Sequence, residues 1–393
     1  MRLAVLDPLF TWLLLPLGLV LGWALARRRP DGGDKAGFTG EQLGGLLTQL
    51  SSDDPDQAIA ALTTATEIDP STAELHLTLG RMFRKRGEVD RALRVHEALV
   101  QRSGLAPQQL LQARYELAQD YMTAGVMDRA EQLFDKLAGD GAFVVPSLDA
   151  IRTIHEQARD WPLAIEAARR LQSAKGESQR AAIAQYFCEM AEEARRGRDT
   201  REALNLARQA LDEDRSCVRA LLLLAQLHEA QAEYPAAARH YLKAFEHDPR
   251  FLPEVIEPLQ RCFSATGDRD GYLLFLRDAK EMTSSSLPFV AEARLLAETG
   301  MDPLDHLAQG LEARPSRAVL ADFLEILERQ PNVVAAGLDK PAASLRQALL
   351  RLMESTPRYQ CSTCGFSPRQ MFWQCPGCKQ WGTTAPADDV LRG

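Results

Sequence analysis

The stretch Leu79–Ala92 reads LGRMFRKRGEVDRA and joins two amphipathic helical patterns through a glycine turn. Gly80 and Phe83 are spaced as neighbours on one helix face, and Gly87 then interrupts the pattern. Ala92 gives the next helix a small residue, which allows two helices to approach closely. This arrangement is typical of a tetratricopeptide repeat, a helix–turn–helix unit of about 34 residues.

The small residue of the second helix recurs along the chain at nearly constant spacing. Successive intervals are 34, 38, 34, 39, 34 and 34 residues, and the two longer ones place extra residues in turns near Ser103–Pro107 and Gly176–Ser178. Because one such unit cannot bury its apolar face alone, neighbouring units stack into a superhelix. We therefore predict an all-α solenoid at 41–355, with seven repeats, a degenerate eighth repeat and two capping helices. The recurring positions are Ala58, Ala92, Ala130, Ala164, Ala203, Ala237 and Gly271; the eighth repeat is predicted at Leu287–Pro315, and the caps at Ser316–Glu328 and Ser344–Met353.

The first helices of stacked repeats line a long concave surface, which we predict to bind a protein partner. Taken one at a time, the polar residues of these helices are also explained as parts of a solvated face. The candidate partner-binding residues are Arg81, Arg84, Lys85, Tyr115, Gln119, Met122, Glu192, Arg195, Arg196, Arg219 and Gln226.

Four cysteines near the C-terminus follow the spacing Cys361-x2-Cys364-x10-Cys375-x2-Cys378. One Cys-x2-Cys pair can place two thiolates on an ion, and two pairs complete a tetrahedral site like those of zinc ribbons and rubredoxins. The spacing predicts a metal-binding module at 356–386 that holds one zinc or iron ion. Two disulfides, or unrelated redox thiols, are the alternatives. The turn residues Gly365, Pro376 and Gly377 would let backbone N–H groups fold back toward the sulfurs.

So small a module cannot build an ordinary core, so the ion and a few aromatic residues must hold it together. Alternatively, Phe372, Trp373 or Trp381 packs onto the repeats or onto a partner. The remaining cysteines, Cys188, Cys217 and Cys262, lie singly in helical segments, where cysteine usually acts as a small buried apolar residue.

An uncharged segment, Pro8–Ala26, stands near the N-terminus and matches the hydrocarbon thickness of a bilayer when helical. Trp12 and Trp23 lie near its ends, and Arg27–Arg29 follow directly. The positive-inside rule then favours a single-pass anchor with a cytoplasmic body. The alternative is a cleaved signal peptide ending at Ala24–Ala26, which the long apolar run and the arginine triplet oppose. We predict an anchor with its basic flank at 1–29, a linker at 30–40 and a C-terminal tail at 387–393.

Charge and motif content argue against nucleic-acid binding and against catalysis. The net charge is −8, although Arg358, Arg369 and Lys379 make the cysteine module basic and leave a nucleic-acid-binding ribbon as a disfavoured alternative. The sequence holds no H-E-x-x-H pair of zinc ligands, no phosphate-binding loop and no G-x-S-x-G nucleophile elbow. Four cysteines on one ion leave no open position for water, so the site would be structural or electron-transferring. We therefore predict no enzymatic activity.

The ordered combination of anchor, repeats and cysteine module resembles the lipopolysaccharide assembly protein B (LapB, or YciM) family of Gram-negative bacteria. The stretches that carry the resemblance are Leu13–Arg28, Leu79–Ala92, Asp120–Phe134 and Cys361–Trp381, and together they extend over essentially the whole chain. One departure is Ala26, where the family pattern leads us to expect glycine. That difference affects only the packing of the anchor.

The resemblance implies an inner-membrane, cytoplasm-facing scaffold that restrains lipopolysaccharide synthesis. It implies three partners: the membrane protease FtsH, the deacetylase LpxC that FtsH degrades with the scaffold's help, and a membrane regulator that contacts the anchor. We carry two other hypotheses alongside this adaptor. One is a rubredoxin-like iron protein that transfers electrons or senses redox state, and the other is a platform that gathers lipopolysaccharide enzymes without proteolysis.

Overall fold

The computed structural model describes residues 70–139 and 141–387, and these ranges form a succession of paired helices followed by a small β module. Six antiparallel pairs come first. Each helix contacts its partner, and the second helix of each pair contacts the first helix that follows it. The pairs are α1 (Ala73–Lys85) with α2 (Val89–Gln101), α3 (Pro107–Thr123) with α4 (Met127–Leu137), α5 (Val144–Ala158) with α6 (Trp161–Lys175), α7 (Arg180–Arg196) with α8 (Thr200–Glu213), α9 (Val218–Ala230) with α10 (Tyr234–His247), and α11 (Leu252–Thr266) with α12 (Arg269–Met282).

The predicted small positions lie where the two helices of each pair meet. Ala92, Ala130, Ala164, Ala203 and Ala237 are all fully buried, one on each second helix from α2 to α10. Since a larger side chain there would separate the helices, the spacing of these alanines sets the repeat. The tetratricopeptide prediction is therefore confirmed for the described part of the chain.

Gly271 takes the same position on α12. A Cβ built there would lie 2.5 Å from the Asp268 carboxylate and 2.8 Å from the ring of Phe263, so a larger residue would displace both side chains. The first member of the series, Ala58, lies outside the described residues.

Several second helices begin with an aspartate that caps the exposed backbone. Asp160, Asp199 and Asp268 each accept a hydrogen bond from the backbone N–H three residues later, at 2.9 to 3.2 Å. Each cap contributes about 1 kcal/mol to helix stability and fixes the residue at which the second helix starts.

Five further helices follow the sixth pair and extend the array with less regular packing. The helix α15 lies where the first cap was predicted, and α17 is longer than the predicted Ser344–Met353. They are α13 (Leu287–Glu298), α14 (Leu304–Ala313), α15 (Arg317–Leu327), α16 (Pro331–Ala335) and α17 (Asp339–Ser355).

The chain ends in a two-stranded antiparallel sheet, β1 (Tyr359–Cys361) with β2 (Thr384–Pro386). Its register pairs Tyr359 with Pro386 and Cys361 with Thr384, so the two ends of the cysteine module are held together. The fold is thus an all-α solenoid that carries a small β module.

The predicted anchor Pro8–Ala26, with its flank and linker, lies outside the described residues. Within 70–139 and 141–387, no helix combines the length and apolar character needed to cross a bilayer.

Candidate metal centre and its seat on the solenoid

Two similar backbone loops present the four cysteines. In the first, the Cys361 N–H donates to the Phe366 carbonyl at 2.8 Å, and Gly365 N–H donates back to the Cys361 carbonyl at 3.0 Å. In the second, the Cys375 N–H donates to the Gln380 carbonyl at 2.9 Å, and the Lys379 N–H donates to the Cys375 carbonyl at 2.8 Å. Each loop therefore turns back on itself and points both of its sulfurs to one side.

The residue after each Cys-x2-Cys pair adopts a left-handed conformation. Gly365 has φ 75°, which glycine adopts without strain, whereas Lys379 has φ 60° despite its side chain. The sequence pointed to Pro376 and Gly377 as the turn residues of the second loop and gave no signal for Lys379. Gly377 has a different role, because a Cβ there would come within 3.3 Å of Cys364 Sγ.

The four sulfurs fit one tetrahedral ion. Cys361 Sγ lies 3.8 Å from Cys378 Sγ, Cys364 Sγ lies 3.6 Å from Cys375 Sγ, and all four fall within 4.8 Å of one another. A metal–sulfur bond of about 2.3 Å gives tetrahedral sulfur–sulfur distances of roughly 3.8 Å. The paired sulfurs lie well beyond the S–S bond length of about 2.05 Å, and all four converge on one point, so the arrangement favours a shared metal ion over two disulfides. The site could hold one metal ion with every position filled by sulfur.

The surroundings of Cys361 favour its thiolate form, which is the form that binds metals. A hydrogen bond between Cys361 Sγ and the Thr383 hydroxyl, at 3.3 Å, lowers the pKa of this thiol to about 6. Cys361 and Cys375 are buried, whereas Cys364 is exposed on the outer side. The module therefore shields one side of the site and leaves the other close to solvent.

Trp381, three residues after the last cysteine, anchors the module to the solenoid. Its indole packs edge-on against Trp161 and Tyr186, with ring centroids 6.1 and 5.8 Å apart. Its Nε1 donates to Glu156 Oε1 at 3.3 Å. Each aromatic contact contributes about 1 kcal/mol beyond the apolar area it buries.

Glu156 accepts hydrogen bonds from both the solenoid and the module. On the solenoid side it accepts from the Tyr186 hydroxyl and pairs with Arg152. From the module, Gln374 Nε2 donates to its second oxygen at 3.3 Å, beside the bond from Trp381. Burial, together with the Glu156 carboxylate, raises the pKa of the Tyr186 hydroxyl, so this phenol stays a donor.

A second aromatic, Trp373, contacts the following repeats. It stacks on Phe251 with centroids 5.7 Å apart and rings within 1° of parallel, and the Arg219 guanidinium lies 5.5 Å from its centroid. Further along, the Tyr359 hydroxyl donates to Glu254 at 2.6 Å, and burial followed by this hydrogen bond raises the pKa of Tyr359 to about 12. The module thus spans α5, α7, α9 and α11, the first helices of four successive pairs.

The predicted partner-binding residues separate into two groups. Those on α1 and α3 lie before the part of the solenoid that the module contacts, and those on α7 and α9 lie beside it. Lys85, Arg195, Arg196 and Gln226 are exposed. Their role in partner binding stays a prediction.

The other members of this set have contacts within the chain. Arg84 pairs with Glu116 at 2.5 Å and with Asp120 at 2.6 Å. The remaining contacts join Arg81 to Glu74, Gln119 to Tyr115, Arg195 to Glu192 and Arg219 to Glu189, while Met122 packs beside the core of α4 and α5.

The sequence did not predict which residues of the solenoid the module contacts. Nothing in the local sequence singled out Trp161, Tyr186, Phe251 or Glu156. The one available signal was the density of aromatic residues around the cysteines, which left packing onto the repeats open as an alternative. The structure shows that Trp373 and Trp381 do pack there.

Two family models match the two parts of the chain. A rubredoxin metal binding domain matches residues 359–386, and the tetratricopeptide repeat matches 47–109 and 188–249. A solved structure of MamA from Desulfovibrio magneticus is 16% identical over 45% of this chain and 96% of that one, with a TM-score of 0.29.

Two relatives extend over nearly the full length. The chain is 30% identical to lipopolysaccharide assembly protein B of Escherichia coli K12 over 387 residues, which is 97% of this chain and 98% of that protein. The Haemophilus influenzae protein of the same name is 29% identical over 392 residues, covering 96% and 98%. With 30% identity to the Escherichia coli protein over almost the entire length of both chains, the chain belongs to the lipopolysaccharide assembly protein B family.

Proposed function

We propose that this protein is a non-enzymatic adaptor in lipopolysaccharide biosynthesis, held at the cytoplasmic face of the inner membrane by its N-terminal segment. The observation that carries the proposal is the seat of the metal module across the first helices of four repeat pairs. In this position the metal-bound module would hold the helices that it contacts and so fix the shape of a binding surface. The names of its relatives supply the connection to lipopolysaccharide.

The module constrains a solenoid that would otherwise flex. In a repeat array each unit contacts only its neighbours, so small rotations add up along its length. Bonds from the module to Glu156 on α5 and to Glu254 on α11 join units that are not adjacent in the array. The metal ion, by holding the module folded, therefore sets the curvature of the middle of the groove.

We place the docking surface on the first two described helix pairs, α1 to α4, which precede the helices that the module contacts. Lys85 and Met82 are exposed there, and Tyr115 and Met122 are half-buried. A surface that combines flexible methionines, an aromatic ring and a cation suits a peptide segment of a protein partner. We propose LpxC as the protein presented there and FtsH as the protease that receives it, with a membrane regulator acting through the anchor.

The proposal is tested by removing the ion's ligands in cells. The double replacement Cys361→Ser with Cys364→Ser should release the metal and loosen the module. We expect the half-life of LpxC to lengthen several-fold relative to cells with the unchanged protein, measured by immunoblot after translation is stopped. The matched control is Cys262→Ser, a buried cysteine on α11 that is not one of the four candidate ligands. Unchanged LpxC turnover in the double variant, at equal protein level, would refute the adaptor role of the module.

A further inference from the structure

Two of the cysteines that read as isolated in the sequence are neighbours in the fold. Cys188 lies in the middle of α7 and Cys217 lies directly before α9, and their sulfurs are 4.0 Å apart. Both residues are buried, with exposed fractions of 0% and 4%. Two thiols in contact inside a protein form a potential dithiol–disulfide couple.

The two thiols have different surroundings. Cys217 lines a cavity of about 570 Å³ between α7, α9 and the metal module, whereas Cys188 is enclosed by the helices. A small oxidant can therefore reach the Cys217 sulfur first.

The position of Cys217 also favours its ionised form. It occupies the N-cap of α9, where the helix dipole stabilises a negative charge. The hydrogen bond with Cys188 lowers the pKa of the Cys217 thiol, and burial raises the pKa of the Cys188 thiol. One sulfur of the pair is thus suited to attack, and the other is suited to remain protonated until it reacts.

We propose that Cys217 and Cys188 form an oxidisable dithiol whose oxidant is a peroxide that enters through the cavity beside the metal module. The Cys217 thiolate attacks one oxygen of hydrogen peroxide, the O–O bond breaks, and the departing hydroxide takes up a proton as water. This leaves a sulfenic acid on Cys217. The Cys188 sulfur then attacks the Cys217 sulfur, the S–S bond forms, and the hydroxyl leaves with the Cys188 proton as a second water. Two thiols lose two electrons, and one peroxide is reduced to two waters.

The disulfide would disturb the seat of the module. Bond formation must shorten the sulfur–sulfur distance from 4.0 Å to about 2.05 Å, which pulls the first turn of α9 toward α7. Cys217 accepts a hydrogen bond from Gln185, and Gln185 lies against Gly382 of the module. Arg219, which covers Trp373, is in the same first turn of α9. Oxidation is therefore expected to loosen the module; this consequence rests on the proposed function, whereas the disulfide does not.

The test is peptide mapping of the purified full-length chain after treatment with hydrogen peroxide. Remaining thiols are alkylated, the protein is digested without reduction, and the metal content of the same sample is measured. We expect a peptide pair joined through Cys188 and Cys217 at peroxide levels that leave the metal bound, with Cys262 fully alkylated. Full alkylation of all three cysteines under these conditions would overturn the proposal.

Two variants keep the test independent of folding defects. With Cys188→Ser, oxidation should stop at the sulfenic acid, which dimedone captures on Cys217; absence of the adduct in a folded variant contradicts the proposed order. Cys262→Ser should form the disulfide as the unchanged chain does, and loss of the disulfide in this control would also count against the site. Because these readouts do not involve LpxC, failure of the adaptor proposal leaves them interpretable.

Discussion

Trp381 and Glu156 are 225 residues apart in the chain, yet the indole N–H of the first donates to the carboxylate of the second at 3.3 Å. This bond joins the metal module to the end of α5, where the same carboxylate also holds Arg152 and Tyr186. Since the Glu156 side chain is largely buried and is also held by Arg152 and Tyr186, the contact fixes the orientation of the indole as well as its distance. The metal module and the repeat array are therefore one structural unit at this point.

Replacing Glu156 with Gln should weaken the seat of the module. The amide keeps the shape of the side chain but removes the charge that pairs with Arg152, and one of its termini can no longer accept hydrogen bonds. We expect a loss of about 2 kcal/mol in the free energy of unfolding, measured by urea denaturation. The module should also be cleaved faster by protease than in the unchanged chain. Glu166→Gln, at an exposed position on α6, is the matched control and should change neither quantity.

Replacing Gly80 with Ala should destabilise the pair formed by α1 and α2. A Cβ at this position would overlap the imidazole of His96, which is buried and hydrogen-bonded to Asp120 at 2.5 Å. Because the ring cannot move without breaking that bond, we expect a cost of about 2 kcal/mol, seen as a lower thermal midpoint. Gly197→Ala is the control, since the nearest atoms there lie at an ordinary 3.4 Å. Equal midpoints for the two variants would show that the contact with His96 is not limiting.

The half-buried imidazole of His240 should make the solenoid less stable in mild acid. Burial lowers the pKa of this histidine to about 4, below its ordinary value of 6.5. The unfolded chain therefore binds the proton more readily, and stability is lost as the pH falls from 6.5 toward 4. We expect His240→Gln to reduce that loss by about 1 kcal/mol, measured as unfolding free energy at several pH values. An identical pH dependence in the two proteins would contradict the expectation.

Removing the metal should unfold the module and release it from the repeats while the helices persist. With no apolar core of its own, the module depends on the ion for its fold. We expect one metal ion per chain in freshly purified protein. A strong chelator should expose Trp373 and Trp381, so that their fluorescence shifts to longer wavelength, with little change in helical circular dichroism.

The colour of the same sample separates the two candidate metals. Colourless protein with stoichiometric zinc would exclude electron transfer by the site, and a red, reversibly bleached sample would support iron. If tryptophan emission is unchanged after the ion has gone, the module folds without metal and our account of its stability is wrong.

Much of the fold followed from spacing alone. Helix pairs are local structures, so the recurrence of Ala92, Ala130 and Ala164 identified them before any contact was known. The metal ligands were likewise predictable, because two Cys-x2-Cys pairs in a short segment bring their own geometry. The contacts of the module with the solenoid, and the contact between Cys188 and Cys217, could not be predicted from the sequence. Each joins residues from helices whose relative placement depends on the stacking of repeats.

The sequence by itself determined the repeating helices, the four-sulfur site and membership of a family, because each depends on residues close together in the chain. Only the tertiary structure decided that the module lies on Glu156, Phe251 and Glu254. It also decided that Cys217, in contact with the buried Cys188, lines a cavity beside the module. Small rotations between successive repeats accumulate along the array, and that sum, which no local pattern encodes, brings distant side chains together.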